Sequence, residues 1–189
     1  MALKSTVFKA ALSIADIDHG YYAEHNFTLA RHPSETDERM MVRLAALALH
    51  AHTLQTVCNG DGQLGFGAGL SDPDDPDVIL RDYTGQARLW IEVGLPEERA
   101  LAKACGKSDA VAVYAYQSSA EIWWQGMRNK VARLDKLTVW RIPTATSQAL
   151  AAMAERSMQL QATVQDGQLL LSDATRSLEL ACERWQPAP

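Results

Sequence analysis

The chain has 189 residues, with 18 Lys plus Arg against 23 Asp plus Glu, and is 47% hydrophobic and 22% charged. That is one domain's worth over residues 1–189, enough to bury about 70% of the surface of the unfolded form without a disulfide or metal staple. The apolar fraction excludes general disorder, no run of about 18 apolar residues is present to cross a bilayer, and Cys58, Cys105 and Cys182 are spaced for neither a disulfide framework nor a zinc ligand set.

At the N-terminus Lys4 and Lys9 break the apolar stretch that a signal peptide needs, so a soluble cytoplasmic protein with reduced thiols is expected. STVFKAALSIAD, a DHG turn and YAEHNFTLARH then read as the two strands of a hairpin. Pro33 ends the second strand and Ser34 is placed to cap a helix, with Asp37 three residues on and Glu35 and Glu38 in the first turn, where the macrodipole favours acids. The helix is expected to run to residue 56, with Met40, Leu44, Leu47, Ala51 and Leu54 along its inner stripe. His50 and His52 project from different faces of it, so no shared metal is expected there. Residues 58–76, dense in Gly, Asp and Pro, read as loop throughout. Gly60, Gly62 and Gly65 match a dinucleotide fingerprint in spacing, but they follow a helix and open none, so no nucleotide cofactor is expected.

DVILRDY and QARLWIEVG read as antiparallel strands joined across Thr84-Gly85, followed by the helix LPEERALAKACG, with Pro96 at its first position and Gly106 just past its end. Strand 109–116, helix AEIWWQGMRNKVAR and strand 137–142 follow. This alternation with short connections implies parallel pairing through right-handed crossovers. A helix over TSQALAAMAERS leads to MQLQATVQDGQLLLSD, where Asp166-Gly167 signals a type I′ hairpin. The expected fold class is α/β: one mixed sheet, parallel in the middle and antiparallel at its margins, with flanking helices.

Charge is unevenly spread. Residues 57–98 carry nine acids against Arg81 and Arg88, a net of −7, whereas residues 99–142 carry eight bases against Asp109, Glu121 and Asp135, a net of +5. Carboxylates that hold a cation beside bases that hold phosphates suit a metal-assisted site acting on a polyanion; a solvated surface has the same composition. Asp77 opens one strand of the hairpin and Glu92 lies near the end of the other, flanked by Trp90, Ile91 and Val93. A carboxylate buried there requires a cation, a hydrogen-bond cage or water. Adjacent antiparallel strands can bring the two acids onto one Mg²⁺ or Mn²⁺; alternatively Asp77 caps a loop and Glu92 pairs with Arg88 or another base. Arg128, Lys130 and Arg133, with Lys136 and Arg141 and beside Trp123 and Trp124, read as a track for a nucleic-acid backbone or as a solvated helix face with two core tryptophans.

The order of a helix with Glu35 and Glu38, then DDPDVIL, then a strand ending WIEVG, then a helix and a strand resembles the αβββαβ core of the PD-(D/E)XK phosphodiesterase superfamily. TLARHPSETDERMMVRL, LWIEVGLPEERALAKAC, EIWWQ and LQATVQDG together resemble the YaeQ family over roughly residues 1–186. The resemblance implies a restriction-endonuclease-like fold with additional antiparallel hairpins, in a cytoplasmic bacterial protein. It places the superfamily's metal-binding acids at Asp77 and Glu92, joined by Glu38 on the first helix rather than the outward Glu35. The superfamily's lysine falls on Gly94, so the ammonium is expected from the following helix, at Lys103 rather than Arg99. The implied function is a Mg²⁺- or Mn²⁺-dependent nuclease with Asp77, Glu92 and Lys103 at its centre and Arg128, Lys130 and Arg133 on the nucleic acid. The competing class is a non-catalytic module on the same fold, its acidic 57–98 block facing a protein partner.

Overall fold

The computed structural model describes residues 4–186. Two mixed sheets, not one, form the frame. The first contains β1 (Thr6–Asp16), β2 (Tyr21–Arg31), β8 (Ser157–Gln165), β9 (Gln168–Ser172) and β10 (Ser177–Leu180), in the order β10-β9-β8-β1-β2. The second contains β3 (Gly62–Phe66), β4 (Val78–Asp82), β5 (Ala87–Val93), β6 (Ser108–Ala115), β7 (Leu137–Arg141) and β11 (Glu183–Gln186), in the order β11-β7-β6-β5-β4-β3. The expected parallel trio is present as β5-β6-β7, and the two hairpins β1-β2 and β8-β9 form at their expected turns. They join each other, however: β1 pairs in parallel with β8, and neither hairpin extends the central sheet.

The reason is the helix α1 (Asp37–His50). Met40 to Ala48 are all buried, so this helix is enclosed on every side and needs an apolar face on each of two sheets. Phe8, Ala10, Leu12 and Ile14 of β1 supply one, by strand alternation; Leu89, Ile91 and Val93 of β5 supply the other, and all belong to one core with α1. The helix α5 (Thr144–Ala151) contributes Leu150 to the same core. On the far face of the second sheet, α3 (Glu98–Lys107) and α4 (Ala120–Val131) form the crossovers, and Leu101, Ala104, Met127 and Val131 pack there on Trp90, Val111, Val113 and Val139. With both faces covered, the middle strands have the near-continuous apolar runs of a parallel sheet.

Several boundaries differ from the sequence reading. Thr36, not Ser34, caps α1, its side chain accepting the Arg39 N–H at 3.1 Å. The helix stops at His50 because the Thr53 hydroxyl takes the His50 carbonyl at 2.6 Å, competing with the backbone ladder; a separate turn of helix, α2 (Thr53–Thr56), follows. Part of the stretch read as loop is β3, where a Cβ on Gly62 would lie 2.7 Å from the Arg81 carbonyl, so the glycine permits close strand approach. Glu97 is the N-cap of α3, Gly106 lies inside that helix, and α5 ends at Ala151. The short strands β10 and β11 carried too few residues to be read in advance.

If α1 is the shared core of both sheets, shortening a fully buried side chain on it should be felt throughout. Leu47→Ala is expected to cost about 2–5 kcal/mol in urea unfolding, whereas Val7→Ala, at a position 51% exposed, should stay within about 0.5 kcal/mol of the parent.

Candidate functional site

The strand register places Asp77 one residue before the Val78–Ile91 pair, opposite Glu92, and Asp77 donates its N–H to the Ile91 carbonyl at 3.0 Å. Both acids line one cleft of about 400 Å³, together with Arg39, Asp75, Gly94, Pro96 and Gln117 among others. The two acids therefore sit at opposed positions on neighbouring strands and share one cleft wall. Their surroundings differ sharply.

Asp77 is almost completely buried and held by cations. Arg39 Nη2 lies 2.9 Å from its Oδ2 and 2.8 Å from its Oδ1, Arg43 Nε lies 3.6 Å away, and the Val93 N–H donates to Oδ2 at 2.7 Å. Both guanidiniums also reach Glu35, at 3.0 Å from Arg39 Nη1 and 3.0 Å from Arg43 Nη1. Burial raises the Asp77 carboxyl above its ordinary value, with Arg39, Arg43 and the Val93 N–H pulling the other way. Burial opposes the Arg39 charge, but Asp77 and Glu35 outweigh it and raise its pKa. Asp77 Oδ1 nevertheless accepts no well-formed hydrogen bond.

Glu92 has no such cations. Its Oε1 accepts the Trp90 indole N–H at 2.6 Å. Burial, against that hydrogen bond and assisted by the charge of Asp77, pushes its carboxyl up to about 7. Asp75, also on the cleft wall, accepts the Ala68 N–H at 2.7 Å.

The remaining expected site residues are placed as follows. Lys103 is ion-paired with Asp74 on the exposed loop before β4 and is absent from the cleft wall, so it does not curl back to Glu92. Arg99 is exposed. Among the described residues lining the cleft, Arg39 is the one cation. Gly94 has φ +109° with nothing within 4 Å of a Cβ, so backbone conformation, not lack of room, disfavours a side chain at this position. Glu38 accepts the Ser147 hydroxyl of α5 at 2.6 Å, and it is Glu35 that joins the buried charges. Because α1 begins after Thr36, Glu35 precedes the helix, and a helical wheel misplaces it. Arg39 and Arg43 were missed and Glu35 was read as outward, although the four-residue spacing of the two arginines was a readable signal of one helix stripe.

Arg128, Lys130 and Arg133 are exposed, and none has an acidic partner among the described residues. Lys136 instead donates to the Cys105 and Ser108 carbonyls, and Arg141 pairs with Glu121 at 3.0 Å. Trp123 donates to the Pro96 carbonyl at 3.0 Å, tying α4 to the cleft, while Trp124 stacks on Trp185. His50 and His52 do not project apart as expected: their rings are 6.4 Å from each other, and His52 reaches Asp16.

Because the folded-state pKa of Glu92 lies above the ordinary 4.5, the native state holds an extra proton between the two values. The stability contributed by neutral Glu92 is thus full below pH 4.5 and lost as pH rises to about 7. Glu92→Gln, which keeps the neutral form, is expected to match the parent at pH 4.5 and to exceed it by up to about 3 kcal/mol above pH 7 in urea unfolding.

The YaeQ protein family model matches residues 1–182. A Salmonella typhi relative, named Uncharacterized protein YaeQ, is 44% identical over 187 residues, 98% of each chain. One of the same name from Escherichia coli (strain K12) is 42% identical over 187 residues, again 98% of each. The crystal structure of the YaeQ protein from Xanthomonas axonopodis pv. citri superposes with a TM-score of 0.88 at 42% identity, over 98% of this chain and 99% of that one. That from Pseudomonas syringae gives 0.87 at 29% identity, over 97% of each. Whole-length matches in both sequence and fold establish that the chain belongs to the YaeQ family.

Proposed function

We propose that the cleft is the site of a metal-dependent phosphodiesterase acting on nucleic acid, on a core of the PD-(D/E)XK type. The observation that carries this reading is Glu92, a half-buried carboxyl with no ion-pair partner among the described residues, on the same cleft wall as Asp77, whose buried Oδ1 lies 2.8 Å from Arg39 Nη2 without a well-formed hydrogen bond. The carboxylates of Asp77 and Glu92, with Asp75 beside them, are the hard oxygen donors that suit Mg²⁺ or Mn²⁺. Asp77, Glu92 and Asp75 would hold such an ion, which would supply an activated water and charge neutralisation at the phosphate. Arg39 would take the part of the superfamily's lysine: its Nη2 contacts Asp77 and the Val93 carbonyl, from where it would orient a phosphate oxygen and offset charge. Glu92 would have to give up its proton to act as a ligand. Exposed Arg128, Lys130 and Arg133, on and just beyond the helix that Trp123 anchors to Pro96, would follow the nucleic-acid backbone. Three unpaired cysteines fit the reducing cytoplasm.

A second reading, a non-catalytic binding module, is favoured by one observation: Asp77 already has two guanidiniums. It expects ligand binding without turnover.

Calorimetric titration with Mn²⁺ near pH 7, in buffers of different ionisation enthalpy, should show release of about half a proton per ion from the parent and none from Glu92→Gln. In cleavage assays on single- and double-stranded DNA and RNA, Arg39→Met should lose about 10²–10³ in rate with folding checked separately, and Lys103→Met should be near neutral. Absence of binding at millimolar metal overturns the metal site; metal binding without cleavage selects the binding module. Replacing Arg128, Lys130 and Arg133 together should reduce the salt slope of nucleic-acid binding by about 0.7 per lost contact.

A further inference from the structure

The core-facing positions of β1 run Phe8, Ala10, Leu12, Ile14 and then Asp16. The alternation that buries four apolar side chains therefore also buries a carboxylate, at 0% exposure. The three buried acids are Asp16, Glu35 and Asp77. Glu35 and Asp77 share two arginines, but among the described residues Asp16 has no Arg or Lys within ion-pair distance. Its neighbours are two imidazoles: His19 Nδ1 at 3.0 Å and His52 Nδ1 at 3.1 Å from the same oxygen, Oδ2. An ionised carboxylate taken out of water without a full countercharge is costly, and neutral imidazole supplies none.

We infer that Asp16, His19 and His52 form a binding site for a late first-row divalent metal, with Zn²⁺ the ion it fits best. One donor atom from each residue lies within 4.8 Å of the others. Tetrahedral coordination with bonds of about 2.0–2.1 Å sets neighbouring ligand atoms about 3.3–3.4 Å apart, so the two oxygen–nitrogen spacings of 3.0 and 3.1 Å need to open by only a few tenths of an ångström. Two nitrogens and one carboxylate oxygen are the donor set of zinc sites that keep a fourth position for water, and they are too nitrogen-rich for Mg²⁺ or Ca²⁺.

The two nitrogens are available. His52 Nδ1 is buried and its 3.1 Å contact with Asp16 Oδ2 falls short of good hydrogen-bond geometry, so an ion inserted between the two would replace only that contact. His19 is on the β1–β2 turn with its side chain 42% exposed, which leaves it free to tilt. That freedom matters because the two rings are stacked parallel at 3.6 Å and must splay for their lone pairs to converge. His50 is not a competing ligand, since its Nε2 lies 2.9 Å from the Tyr114 hydroxyl in the core. Asp18 adds negative potential beside the site while its own oxygens accept the Asp166 and Gly167 N–H groups at 2.8 Å. A bound ion would clamp the β1–β2 turn to the junction of α1 and α2, where Asp16 and His52 meet.

The test is Zn²⁺ uptake by full-length, tag-free protein, read by competition with a chromophoric chelator. Glu92→Gln serves as the background, so that the cleft does not contribute. One equivalent is expected to bind, and Co²⁺ in its place should give the intense visible absorption of a tetrahedral site. His19→Ala changes an exposed turn and should leave the fold intact while weakening Zn²⁺ by at least about tenfold and abolishing the Co²⁺ band. His52→Ala should do the same. No stoichiometric uptake at micromolar Zn²⁺, or uptake that His19→Ala leaves within tenfold of the background protein, overturns the assignment.

Discussion

Two arginines and two carboxylates buried together at the start of α1 are the constraint around which the rest of this molecule is arranged. Arg39 and Arg43 each contact both Glu35 and Asp77, and the cluster is neutral in sum. It draws together three pieces of chain that are distant in sequence. Asp77 fixes the start of β4 against the Val93 N–H at the end of β5, and Arg43 Nη2 donates to the Gly67 carbonyl at 3.3 Å. The approach is close enough that a Cβ on Gly69 would lie 3.3 Å from Asp77 Oδ1. A buried network of this kind adds little net stability over an apolar replacement, but losing one member leaves a stranded charge and costs about 3–5 kcal/mol. Its effect is to specify how α1 sits between two sheets that would otherwise meet it only through interchangeable apolar contacts.

The same cluster divides the carboxylates into distinct electrostatic classes. Asp77 and Glu92 occupy opposed positions on adjacent strands, yet only Asp77 points to the arginines of α1. Glu92 is left with an indole N–H and with the charge of Asp77, and both burial and that charge favour its protonated form. Placing one acid among cations and its neighbour in an apolar wall is how proteins separate the roles of two carboxyls. Asp16 is a third case, buried with imidazoles alone. What distinguishes these acids lies in the neighbouring elements, not in the acids themselves.

How much of this was readable in the chain follows from the range of the interactions involved. The β1–β2 hairpin, the Asp166-Gly167 turn, the β4–β5 hairpin and the β5-β6-β7 trio are local or near-local, and period, turn chemistry and connection length identify them. Asp77 opposite Glu92 follows from the β4–β5 pairing and was legible for the same reason. Lys103 was not: its helix lies where expected, but a flexible ammonium on an exposed flank settles on the nearest acid, and the loop bearing Asp74 passes within its reach. Glu38 was chosen by a helical wheel over a helix taken to be capped at Ser34, two residues before the observed cap Thr36, so Glu35 lies outside the helix where no wheel describes its direction.

The sequence by itself determined the class of the protein, nearly all its long elements, the cleft's pair of acids and the family, because those depend on periodicity and on residues close along the chain. Tertiary structure alone decided that there are two sheets, since the parallel pairing of β1 with β8 joins residues about 150 positions apart in the chain and no local preference selects it. It alone decided that Arg39 faces the cleft in place of Lys103, that Glu92 titrates near neutrality, and that Asp16, His19 and His52 meet. The physical reason is common to all three: burial and Coulomb interaction act through space over a few ångströms, and a linear chain does not reveal which of its distant segments will be that close.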